Sequence, residues 1–184
     1  SRITYDSLGR LETHMVGRDT EMTRLRIHYE QSRTSITPAM LLVTGEVGIG
    51  KSRLLLEFSK KLQRDIPAVQ LYSTRALAQT SRVPYNVWKQ LLYRIFELQD
   101  NQSPAQILSK LTFEITRLWD RSASSIPASD AINTMGKLIG LAVNDEGVRA
   151  NEALSAKDEM ERAGMIAHAI LHRIMLKGPL VLIV

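Results

Sequence analysis

The chain contains no cysteine. That excludes a disulfide framework and a cysteine-ligated metal site, and it fits a reducing, cytoplasmic location. Aromatic residues are only 5% of the 184 positions, and they form no aromatic–basic cluster of the kind that stacks single-stranded nucleic acid. No run approaches the roughly 20 apolar residues of a membrane span, and the opening residues do not resemble a signal peptide. Lys and Arg outnumber Asp and Glu by 24 to 19, for a net charge of +5. Yet the arginines are scattered from Arg2, Arg10 and Arg18 onward, without a dense basic run. This describes a solvated, mildly basic surface rather than a nucleic-acid footprint. Internal repeats and low-complexity tracts are also absent. What the chain does have is 44% hydrophobic residues, enough for one domain-sized core.

One stretch carries chemistry. "LLVTGEVGIGKSRLLLEF" places Gly45, Gly48 and Gly50 directly before Lys51 and Ser52, matching G-x-x-x-x-G-K-[ST]. The apolar run at 39–44 suits a buried parallel strand. Leu54, Leu55, Phe58 and Leu62 follow at the spacing of one helix face. Between strand and helix, glycines let the backbone turn tightly and aim successive N–H groups at an anion. The helix start adds unpaired N–H groups and the positive end of its dipole. A glycine-rich turn that matches by accident is expected on the order of once in a hundred chains of this length. The pattern therefore predicts a nucleoside triphosphate site. Its candidate residues are Gly45, Glu46, Val47, Gly48, Ile49, Gly50, Lys51, Ser52 and Arg53. Lys51 is also the catalytic candidate, reaching the β- and γ-phosphates, and Ser52 the Mg²⁺ ligand.

Such a site needs a second element, an apolar strand ending in an acid. "RLWD", ending at Asp120, has only two apolar residues before the acid, and "LAVND", ending at Asp145, is interrupted by Asn144. "PLVLIV" is the right kind of strand after a helix stop at Lys177, Gly178 and Pro179. Its acid would lie at position 185 or beyond, so the expectation is a fragment cut before that residue. The rest reads as a second strand at 68–73 and a long helical insertion at 81–176. Pro84 suits the start of a helix bearing Trp88, Leu91, Leu92, Ile95 and Phe96. Ser103 caps a helix opened by Pro104, with Leu108, Leu111, Ile115 and Leu118 inward. Ser129 or Asp130 caps a segment with Ile132, Met135 and Leu138, after a serine-rich loop at 121–127. Past a loop at 144–147, a last helix over 157–176 turns Met160, Ala163, Ala167, Ile170 and Ile174 inward.

Upstream, "MVGRDTEMTRL" reads as a turn and a helix capped by Asp19, with Met22, Leu25 and Tyr29 on one side. Taken with the glycine loop, "PYNVWKQLLYRI" and "GPLVLIV", it resembles the STAND class of the AAA-type P-loop ATPases, over nearly the whole chain from His14 onward. The likeness is nearest to modules beside adenylate/guanylate cyclase domains and in large tetratricopeptide-containing transcriptional regulators. The resemblance implies an α/β, ASCE-type three-layer parallel sheet, truncated at its C-terminal end. Its organisation would be a leader at 1–14, a nucleotide-binding βαβ core at 15–80, the helical insertion, and the start of the Walker B strand at 180–184. It implies ATP and Mg²⁺ as cofactors and ATP/ADP binding used as a switch. Met15, Val16 and Arg18 become candidates for the adenine site. The implied partners are output and sensor domains of the same polypeptide, with nucleotide-dependent self-association and neither nucleic acid nor membrane.

Two other functions share these residues: a nucleic-acid motor or loader of the AAA type, and an interaction module that binds no nucleotide. The diffuse basic residues weigh against the first, and the presence of both Lys51 and Ser52 against the second. Nothing in the chain separates ATP from GTP. A kinase- or GTPase-like sheet, with the first and third strands adjacent, is the alternative to an ASCE order that sets a fourth strand between them. His168 and His172 stand at i, i+4 but lack the intervening glutamate of a zincin helix, and read as flanking a packing face. Trp88 and Trp119 read as core, and Arg75 as an ordinary surface residue.

Overall fold

Apolar side chains recurring every third or fourth residue dictate most of what forms. The computed structural model describes residues 15–35, 37–76, 85–119, 126–141 and 156–184. Within these lie α1 (Asp19–Thr34), α2 (Lys51–Asp65), β1 (Gln70–Ser73), α3 (Asn86–Ile95), α4 (Pro104–Leu118), α5 (Ala128–Leu138), α6 (Ala156–Met175) and β2 (Leu180–Ile183). Leader 1–14, Pro84, Asp120, Asp145, most of the serine-rich loop and the loop at 144–147 lie outside the described residues. None of the described helices is long and apolar enough to cross a membrane. Contacts group the chain into two compact units, one ending at Leu71 and the other beginning at Tyr72.

In the first unit α1 packs on α2. Leu25 and Tyr29 are buried from α1, and Leu54, Leu56, Phe58 and Leu62 from α2. Leu56 takes the interior place expected of Leu55, which is half-buried. Arg18, not Asp19, holds the N-cap position of α1, and Asp19 opens the helix as a first-turn acid, where the helix dipole favours it. Arg26 of α1 joins the far end of α2 through a 2.9 Å bond to Asp65, while its Nε holds Glu30 at 3.0 Å. That guanidinium keeps the Asp65 carboxyl below its ordinary value. A lowered folded-state pKa contributes stability that is present above the unfolded pKa and lost as pH falls through the folded one. Asp65→Asn should therefore flatten the fall of the thermal midpoint on acidification below about pH 4. An unchanged acid limb would show that the pair contributes nothing.

The second unit is built around Leu92, Phe96, Ile107, Leu111, Ile115, Leu118, Ala131, Met135, Ile139, Ile166, Ile170 and Ile174. α4, α5 and α6 contact one another pairwise. Ser103 caps α4 as expected, and Gln106 completes a reciprocal capping box. α5 starts earlier than expected, with Pro127 rather than Ser129 or Asp130 at the N-cap. Ile107 replaces Leu108 in the core, Ile166 is fully buried, and the expected core residues Trp88 (37% exposed) and Met160 (55%) lie at the surface. Trp119 packs partly buried against the cluster and donates its indole N–H to Ile126 O at 2.9 Å.

β1 and β2 form a two-stranded parallel sheet, continued by Thr74 N–H donating to Ile183 O at 2.8 Å. The second and third strands read from the sequence are thus neighbours. The first is not found: residues 39–44 belong to no strand, and Met40 and Leu42 are 93% and 83% exposed. A strand exists only through its partner's hydrogen bonds, and among the described residues no ladder reaches this run. Just past β1, Gln90 of α3 grips the backbone of Arg75: Arg75 N–H donates to Gln90 Oε1 (3.1 Å), and Gln90 Nε2 donates to Arg75 O (3.0 Å).

Candidate functional site

The glycine loop lies in the first unit and opens α2. Gly48 (φ 86°) and Gly50 (φ 95°) have backbone angles that L side chains rarely adopt. At Gly45 an added Cβ would stand 3.1 Å from Ile49 Cγ2. These angles fold residues 45–50 into a tight bend, with Ile49 N–H directed to Glu46 O at 3.4 Å. Val47 at its tip is fully exposed and Ile49 about half so.

Lys51 turns back across this bend. Its Nζ donates to Gly45 O at 2.9 Å and to Glu46 O at 2.8 Å. An ammonium has three donors, so two hold the loop and one remains for a ligand. Ser52 is exposed in the first turn beside it. Arg53 is drawn aside by a 2.9 Å ion pair with Glu57 one turn on.

The helix start itself suits an anion. Gly50 at the N-cap supplies no side-chain cap, and the first turn of α2 carries no acid. The first amides of a helix lack intrahelical acceptors. Here neither a capping oxygen nor a carboxylate competes for them, whereas Ser103 and Gln106 close the start of α4. First-turn amides, the macrodipole and one ammonium make a donor set that fits a polyphosphate and offers a carboxylate-free seat for its charge. Mg²⁺ would meet Ser52 and phosphate oxygens, since among the described residues no group of three His, Asp or Glu could hold a metal ion. His168 and His172 are exposed, their rings stacked at 6.4 Å.

Of the three adenine-site candidates, the structure joins one to the loop. Arg18 follows Gly17, whose φ is 76°. It donates NH2 to Ile49 O at 2.9 Å and NH1 to Glu21 at 2.6 Å. The bond from Arg18 holds the Glu21 carboxyl below its ordinary range. Met15 is half-buried and Val16 88% exposed. Glu21 was not among the site residues read from the sequence, although its i, i+3 spacing from Arg18 puts the two side chains within reach.

The same residues match a family model. A model described as AAA ATPase domain covers residues 14–184. Comparison with curated proteins and with solved structures gives no match.

Proposed function

Because the chain belongs to the AAA ATPase domain family, a family of P-loop nucleotide-binding modules, we propose that it works as an ATP/ADP switch of the STAND type. In this reading it is a module of a cytoplasmic regulatory protein with an ASCE-type strand order. Nucleotide state would be coupled to an output domain such as a nucleotide cyclase or a DNA-binding domain, with sensor elements and self-association as further partners. The observation that carries the nucleotide reading is the loop of residues 45–52, with Lys51 Nζ bonded across it and an uncapped helix start behind it. Gly48, Gly50 and the α2 amides would surround the phosphates, Lys51 would neutralise them, and Ser52 would share Mg²⁺ with them. When bound, ATP·Mg²⁺ supplies the phosphoryl chemistry, and the chain's part is to bind and orient it.

Calorimetric titration of the chain with ATP, ADP and GTP, each with Mg²⁺, tests this reading. The expected result is binding of ATP and ADP; absence of both would remove it. Ser52→Ala refines the test. A hydroxyl that works through the metal should matter with Mg²⁺ present and hardly at all in EDTA. A loss of equal size under both conditions would deny Ser52 that role.

A further inference from the structure

Arg18 is bonded at both ends, to a carboxylate in its own helix and to a loop carbonyl 31 residues away in the chain. Peptide planarity decides what the second bond does. Ile49 C=O and Gly50 N–H belong to one trans peptide, so they lie in one plane and point in opposite directions. Holding the oxygen toward Arg18 turns the Gly50 N–H the other way. That peptide is otherwise easy to swing, because glycine imposes little restraint on φ. The Gly50 N–H stands at the N-cap of α2, beside the first-turn amides. Glu21 accepts from the other terminal nitrogen of the same guanidinium, and both partners are more than half shielded, at 34% and 38% side-chain exposure.

We infer that Arg18 is a positioning residue for the phosphate loop: anchored by Glu21, it fixes the Ile49–Gly50 peptide so that the Gly50 amide faces the phosphates. This rests on the nucleotide reading above, and it assigns Arg18 a task distinct from touching the base. A base contact would act on adenine alone, whereas a positioned amide acts on any polyphosphate. Charge is separable as well. Removing Glu21 makes the neighbourhood more positive, which favours an anion by Coulomb attraction, yet it releases the anchor.

The test uses the whole chain and two probes, Mg·ATP and Mg·tripolyphosphate, with Arg18→Ala, Arg18→Lys and Glu21→Ala. Alanine at position 21 keeps helix propensity, so that variant answers the question even if Arg18→Ala unsettles α1. Arg18→Ala should weaken both probes by one common factor, about tenfold for one charge-assisted bond, and Arg18→Lys should restore part of it. Glu21→Ala should weaken both as well, despite the added positive charge. In the nucleotide-free chain, the ¹⁵N resonance of Gly50 should move in both alanine variants. A loss confined to ATP, an unchanged or tighter Glu21→Ala, or an unmoved Gly50 amide would each overturn the inference while leaving the nucleotide site intact. A parent chain that binds neither probe would overturn the site itself, and the inference with it.

Discussion

Lys51→Ala should weaken ATP·Mg²⁺ binding by about 2–4 kcal/mol, roughly thirty- to a thousandfold in Kd, since each charge-assisted bond to phosphate is worth about 1.5–3 kcal/mol. Two losses act together. One is the ammonium that, on the proposed reading, would meet the β- and γ-phosphates. The other is internal: Lys51 Nζ spans the loop by bonding Gly45 O and Glu46 O, so its removal also frees the bend that aims the amides. Lys51→Arg should fare little better, because a planar guanidinium cannot reproduce three diverging donors around one nitrogen. Calorimetry at fixed Mg²⁺ decides it. An alanine variant that binds ATP as the parent does would sink the assignment of this loop.

The second large effect concerns stability. Leu111→Ala should cost about 2–5 kcal/mol, the range for a large aliphatic residue removed from a packed interior. Leu111 is 0% exposed in the cluster that α4, α5 and α6 enclose. Phe113, two residues along the same helix, is 65% exposed, and Phe113→Ala should cost no more than about 0.5 kcal/mol. Denaturant melts of the two variants, side by side, check the placement of the core. Equal losses would mean that α4 presents a different face inward.

How far these features could be read beforehand depended on whether their cause was local. The loop was legible because glycine spacing, lysine and serine each answer a nearby constraint, and the positive φ at Gly48 and Gly50 is that constraint in backbone form. The Ser103–Pro104 helix start was legible for the same reason. Helix existence followed from periodicity, but helix phase did not. Leu55 and Leu56, or Ile107 and Leu108, are equally apolar neighbours about 100° apart around the axis, and the packing partner chooses between them. Trp88 and Met160 are apolar residues at the margins of their stripes, which periodicity alone draws inward. The run at 39–44 has the composition of a strand, yet pairing is a property of two segments and cannot be read from one. The bond from Arg18 to Ile49 O spans 31 residues, and no spacing rule forecasts it.

The Gln90 side chain has a consequence for association between molecules. In a parallel ladder, successive residues present their N–H and C=O to alternate sides. Thr74, just past β1, gives its N–H to Ile183 of β2, and the next residue, Arg75, gives its groups to α3 instead, where the Gln90 amide accepts from one and donates to the other. A primary amide has the same donor–acceptor pair as a peptide group, and here it sits where the backbone of an added strand would dock. At Arg75 the margin of the sheet away from β2, which no other strand pairs among the described residues, is thereby closed to recruitment of a foreign strand, the route by which unpaired edges polymerise. Because the plug belongs to α3, the margin stays closed only while that helix keeps its place.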